Sequence, residues 1–203
     1  MEPSPTIRGN RLTANTASGE GGAIFCNGSP LIEDNHITDN EAGTDGGGLS
    51  LYENAVVTSN VISGNRAQRG GGVYSWEDYG SFILNNTISN NWAEEAGGGI
   101  ATLWDYTTTI AGNLIAGNAT NGIGGGVCLM GDEGLLINNT IVSNSAATGG
   151  GICSRLGGST VANCIVWSNQ AADGPQIAMQ RYSTHGGVMT VRYSGVAGGE
   201  AGL

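Results

Sequence analysis

The stretch Ile110-Ala-Gly-Asn113-Leu-Ile115-Ala-Gly-Asn118, followed by Gly124-Gly-Gly-Val127, is the unit from which this chain is built. The pattern I-x-x-N-x-I-x-x-N, followed by a glycine-rich element that ends in Ile, Leu or Val, can be written seven times. Its last Asn falls at Asn15, Asn40, Asn65, Asn91, Asn118, Asn144 and Asn169, in steps of 25, 25, 26, 27, 26 and 25 residues. Five residues earlier stand Asn10, Asn35, Asn60, Asn86, Asn113 and Asn139, with Cys164 in the last copy. Between the two Asn columns lie Leu12, Ile37, Ile62, Ile88, Ile115, Ile141 and Val166. After the glycines come Ile24, Leu49, Val73, Ile100, Val127, Ile152 and Ile177. Self-similarity at a fixed period of this size is the signature of a solenoid.

Each copy holds three apolar segments too short for helices. Their residues are Ile, Val and Thr, which suit strands, and the glycines break any helical run. One copy therefore reads as one rung of an all-β, single-stranded parallel β-helix. We expect seven to eight rungs of 24–27 residues, three short strands to a rung, with rungs stacked about 4.8 Å apart. An Asn that stays in column passes its amide hydrogen bond to the next along the axis, as in cross-β ladders. The small residues Ala17, Ala42, Ala67, Ala93, Ala146 and Ala171 fit a corner tucked inward. The handedness expected of parallel crossovers is right-handed.

The chain has 203 residues, 17 acidic against 7 basic, every basic one Arg, for a net charge of -10. That balance disfavours nucleic acid and anionic membranes as partners. No apolar run is long enough to span a bilayer, and Met1-Glu-Pro-Ser-Pro5 is no signal peptide. We expect one domain over 1–203, a fragment of a longer protein. Residues 1–24 form a partial first rung; 178–203 form a longer loop, an irregular last rung and a tail. Uncapped ends invite association. Cys128 and Cys153 should be rung neighbours, two stacked thiols in preference to a disulfide, while Cys26 and Cys164 have no evident partner.

These repeats resemble the pectate-lyase-like right-handed β-helix superfamily, in particular bacterial secreted and surface proteins with G-G-G-[IV] and I-x-x-N-x-[IL]-x-x-N repeats. The G-G-[AIV] element with a nearby Asn also resembles chlamydial polymorphic outer-membrane proteins. The resemblance implies an extracellular or cell-surface location and covers nearly the whole chain, but it carries no single activity. Polygalacturonase-like relatives carry N-T-D, D-D and G-H-G signatures, and epimerase-like sites a Tyr-Gly-x-Asp-Pro-His stretch. None of these is present here, and there is no lysine for lyase chemistry.

Candidate chemistry gathers in the segment of variable length that follows the post-glycine strand, since solenoid insertions collect on one edge. Asp78, Asp105 and Asp132 occupy one place in three consecutive rungs, Tyr79 and Tyr106 the next, with Trp76 and Trp104 close by. Three readings compete with plain solvated loops. Trp76, Asp78, Tyr79, Trp104, Asp105, Tyr106 and Asp132 bind a polysaccharide or surface glycan. Asp78, Asp105 and Asp132 hold Ca²⁺, since stacked carboxylates repel unless a cation lies between them. Or two of these acids act as a glycosidase pair in a carbohydrate-active hydrolase or lyase. The expectation is a structural or carbohydrate-binding module, with the enzyme as the alternative and no cofactor other than Ca²⁺. A second face, the outward positions between the Asn columns, turns apolar at Leu114, Ile165 and Trp167. It is a surface for self-association or a flanking domain.

Overall fold

Corners tight enough to stack set this architecture, and the residue before each ladder Asn forms them. Asp34, Asp39, Ser59, Asn85, Asn90, Asn138, Ser143, Asn163 and Ser168 all take positive φ there, as do Gly64, Gly112 and Gly117. Short polar residues and glycine tolerate that left-handed conformation best. The computed structural model describes residues 5–76, 80–104, 108–131, 133–155, 157–180 and 188–197. Among them the strands form four parallel sheets of eight, eight, five and seven strands, each strand bonded to its counterparts in the rungs before and after.

Sheet I runs from Thr6–Arg8 to Thr190–Arg192, and sheet II from Arg11–Thr13 to Gly195–Val196. Sheet IV runs from Ile24–Asn27 to Ile177–Gln180. These supply the three expected strands of each rung. Sheet III, from Thr16–Ala17 to Ala119–Thr120, is a fourth and shorter ladder in what the repeat suggested was a plain turn. Its strands bury only small residues, Ala42, Ala67, Ala93, Ala96 and Thr120. A second difference lies at the C-terminal end. The segment read as a loop from Ala178 onward begins as a strand, Ile177–Gln180, paired with Ile152–Arg155.

The core is a narrow column of stacked aliphatic side chains: Ile32, Val57, Ile83, Ile110, Leu136 and Val161 from sheet I, Ile37 to Val166 from sheet II, and Leu49 to Ile152 from sheet IV. Two ladders of buried Asn flank the sheet II column. Each Asn accepts at Oδ1 from both the backbone N and the Nδ2 of the Asn one rung before, as when Asn91 donates to Asn118 Oδ1 at 3.0 Å twice. Its own Nδ2 donates forward, to Asn144 Oδ1 at 3.0 Å, and back to a main-chain carbonyl, Ile88 O at 2.9 Å. Both donors and both acceptor positions of the carboxamide are used, so its burial carries no unsatisfied group.

The ladders end differently. On one, Cys164 takes the Asn position and its backbone N donates to Ser194 Oγ at 3.1 Å. On the other, Gln176 stands where earlier rungs have the third glycine. Its Oε1 accepts from Asn169 Nδ2 at 2.9 Å, and its Nε2 returns a bond to Asn169 O at 3.2 Å. A side chain of the same rung thus closes the ladder.

The glycine triplets fit the spacing between rungs. The first glycine, for example Gly124, has φ +69; at the second, Gly125, a Cβ would stand 2.5 Å from Ser145 O. At the third, Gly126, it would stand 3.0 Å from Asn144 Nδ2, inside the ladder.

Candidate functional site

The connection from sheet IV to sheet I forms the edge on which the sequence places its aromatic and acidic residues. Asp78, Tyr79, Asp105, Tyr106 and Asp132 lie outside the described residues, as do Arg181 and His185. Trp76 and Trp104 are described, and the fold uses them differently. Trp76 ends the strand Val73–Trp76 and faces outward beside Tyr52, its partner in register. Their rings meet edge-on, with centroids 4.8 Å apart and planes at 87°, a favoured aromatic geometry. Phe25 adds a tilted contact to Tyr52 at 5.4 Å. Trp76 Nε1 is buried with no hydrogen-bond partner among the described residues. Trp76 is therefore part of the packing on sheet IV.

Trp104 is 54% exposed. It is the first residue after Ile100–Leu103 and has φ 58. Left-handed backbone in a bulky residue is uncommon and costs roughly 1–2 kcal/mol. Glu53 and Gly28 hold the same place two and three rungs earlier, also at positive φ, so the corner is a property of the edge and the indole is what this rung adds.

Hydroxyls line the core beneath this edge. Ser75, Ser81, Thr102, Thr108, Ser154 and Ser159 are all buried. Ser81 Oγ donates to Glu53 O at 3.0 Å and accepts from Ala55 N at 2.9 Å, and Ser154 bonds Ser159 at 3.3 Å. Directional bonds therefore hold the bases of the edge loops to the sheets.

Beside the edge, on the outer face of sheet I, lies a depression of about 200 Å³ lined by Thr109, Glu133, Gly134, Leu135, Gly158 and Thr160. Thr109, Leu135 and Thr160 are register partners on three successive rungs, and Phe82, on the rung before, pairs with Thr109. Nothing in the repeat announces this hollow. Of its two lining glycines, Gly158 is open around its Cβ position, whereas the Cβ position of Gly134 faces inward onto the Leu129 side chain.

The opposite flank of sheet IV is closed. The residues preceding the glycines, Asp45, Arg69, Ala96, Ile123, Thr148 and Asp173, run as a column linked by parallel bridges. Ala96 and Ile123 cover Tyr74, Ala101, Cys128 and Cys153. Toward the N-terminal end the cover is polar. Glu20 accepts from Ser50 Oγ at 2.9 Å and from Tyr52 OH at 2.8 Å. Asp45 takes a two-pronged bond from Arg69, Nε to Oδ1 at 2.7 Å and Nη2 to Oδ2 at 2.9 Å. The Arg69 guanidinium lies over the Tyr74 ring at 5.2 Å. Burial pushes the Asp45 carboxyl up against the opposing pull of Arg69. Burial also raises the Tyr52 and Tyr74 hydroxyls far above their ordinary range, and the Glu20 carboxylate adds to the effect at Tyr52. This cluster has its own partners and covers the sheet; it presents no open site.

Cys128 and Cys153 are register partners, buried and free. The adjoining Cys153 thiol together with burial holds Cys128 well above the ordinary thiol range. Among the described residues no group of three or more His, Cys, Asp or Glu is placed to hold a metal ion. On sheet II the apolar outward residues Leu114, Ile165 and Trp167 are exposed as the sequence suggests.

The chain matches the right-handed beta helix region family over residues 44–191. Residues 12–27 match the Chlamydia polymorphic membrane protein repeat. No match was found among curated proteins or among solved structures. With more than half of its length matched and every described strand in parallel register with the next rung, the chain belongs to the right-handed β-helix region family.

Proposed function

We propose that this chain is a module of a secreted or cell-surface protein that binds glycan along the edge between sheets IV and I. The observation that carries this reading is Trp104. An indole is held out to solvent on left-handed backbone, where it contributes little burial and costs conformational energy. Strain kept at an exposed position fits a contact residue better than a structural one. A flat aromatic face suits a sugar ring, which is apolar on its faces. The polymorphic membrane protein repeat at 12–27 supports a surface location. Asp78, Asp105 and Asp132 belong to the same edge by position in the repeat, and Ca²⁺ bound between them is part of the proposal. Retention on a panel of insoluble polysaccharides tests it. The wild-type chain should be retained without shortening the polymer, and Trp104→Ala, folded by circular dichroism, should be released. Indifference to every polysaccharide would leave a scaffold. Polymer shortening that disappears in Asp105→Ala would make the module an enzyme.

A further inference from the structure

We propose that the depression on sheet I is a subsite for a single amino-bearing sugar ring, so that the edge selects cationic amino-sugar glycans over uronate ones. The proposal rests on the glycan reading above and adds its ligand class.

The hollow measures about 200 Å³, below the range of roughly 300–1,000 Å³ that encloses drug-sized ligands. It fits one ring of a longer chain that continues along the surface. Its floor is built by register. Thr109, Leu135 and Thr160 stand side by side on adjacent strands, spaced by about 4.8 Å per rung. The order is hydroxyl, isobutyl, hydroxyl along the helix axis. That order meets a pyranose laid flat: apolar C–H face over Leu135, rim hydroxyls to the two threonines. Phe82, exposed and next in register to Thr109, offers an aromatic face to the neighbouring ring.

Glu133 sets the charge preference. Its carboxylate is exposed at the rim, and neither ion pair among the described residues, Arg8–Glu33 or Arg69–Asp45, involves it. A protonated sugar amine laid in the hollow would meet this carboxylate at the rim. A uronate would instead bring a second carboxylate to that rim, on a chain already at -10, and like charges at such range oppose binding.

Gly158 provides the means to test the site without breaking the fold. Gly158 lines the hollow and a Cβ there meets nothing within 4 Å, so a larger side chain adds bulk at the hollow's lining without a clash at its Cβ. Calorimetric titration at mildly acidic pH would compare glucosamine oligomers, their N-acetylated counterparts and oligogalacturonides of equal length. The wild-type chain should bind the amino oligomer at least tenfold more tightly than the acetylated one, and the uronate least. Gly158→Leu should abolish binding to all three with net charge unchanged, which separates the groove from bulk attraction between an acidic protein and a polycation. Glu133→Gln should erase the amino preference while leaving affinity for the acetylated oligomer intact. If both variants bind as wild type does while Trp104→Ala fails, the subsite is wrong and the glycan edge stands. If no oligomer binds the wild-type chain although a polysaccharide of the panel retains it, the subsite falls and the glycan edge stands.

Discussion

Replacing Cys164 by Asn should stabilise the last rungs, because it restores an oxygen acceptor to the one ladder position where sulfur stands. The two donors of Asn139 now meet Cys164 Sγ at 3.4 Å from the backbone N and 3.9 Å from Nδ2. At the preceding step of the same ladder, Asn113 meets Asn139 Oδ1 at 2.9 and 3.0 Å. Sulfur is a weak acceptor, and an ordinary hydrogen bond contributes about 1 kcal/mol net. Upgrading two such bonds amounts to about 1–2 kcal/mol. The new Nδ2 also finds an acceptor. Asn139 Nδ2 reaches Ile110 O at 2.7 Å, and the equivalent carbonyl for residue 164 is Leu136 O, which Sγ already addresses at 3.6 Å. Global unfolding is a poor probe, since solenoid rungs are coupled mainly to their neighbours. Amide hydrogen exchange resolves the effect locally. Exchange at Asn139 and Ile165 should slow by roughly 5–30-fold, the factor that one to two kcal/mol commands. Exchange near Asn35 should stay unchanged. The mirror substitution, Asn113→Cys, should speed exchange at Asn86 by at least as much. If Cys164→Asn leaves Asn139 unchanged or faster, the oxygen acceptor is not what stabilises the ladder.

Gly125→Ala should lower the melting temperature sharply, because its Cβ would lie 2.5 Å from Ser145 O and overpacking costs about 1–3 kcal/mol or more; Gly158→Ala, open on all sides, should be neutral. Arg69→Met should destabilise by roughly 2–3 kcal/mol, below the figure for a fully buried pair because Arg69 is partly exposed. The double variant Asp45→Ala, Arg69→Ile, which copies the Ala96 and Ile123 cover of later rungs, should recover most of that loss in urea titrations. Stability should also fall in alkali. The folded-state values of Tyr52 and Tyr74 are raised above their unfolded ones, so their contribution is complete below about pH 10 and is lost as pH climbs toward the folded values. Tyr52→Phe with Tyr74→Phe should flatten the alkaline limb of a melting-temperature profile.

The sequence is legible wherever one residue type recurs in one place. The Asn columns, the aliphatic columns and the pairing of Cys128 with Cys153 follow from the period alone, since register in a solenoid is fixed by counting. Sheet III was not legible, because its strands bury only small residues, Ala42, Ala67, Ala93, Ala96 and Thr120, and no aliphatic column marks them. The cover over sheet IV was not legible either: Glu20, Asp45, Arg69, Ala96, Ile123, Thr148 and Asp173 share a place and no chemistry. The Gln176 closure had a signal, since Pro175-Gln176 replaces two glycines, but a break in pattern does not say that its side chain turns back onto Asn169. Of the seven residues proposed for the edge, Trp76 and Trp104 fall among those described. They separate into packed and exposed for a reason that spacing does not reveal. Trp76 continues the strand pleat beside Tyr52, whereas Trp104 begins the corner.

That separation bears on where recognition can reside in such a fold. Inward positions are constrained rung after rung: Ile83, Ile110, Leu136 and Val161 are all fully buried. Their outward neighbours on the same strands, Phe82, Thr109, Leu135 and Thr160, are not one residue type yet stand in strict register. A ligand laid along the axis therefore reads a row drawn from four rungs, on a floor that packing keeps rigid. The edge adds to this because Ser81 and Ser159 tie its loop bases to the sheets by directional bonds. A site on rigid elements with bonded supports holds its geometry better than one on free loops. For this reason Gly158→Leu, which adds bulk at the lining of the hollow with open space around its Cβ, is a sharper test of the surface than removing any single edge residue.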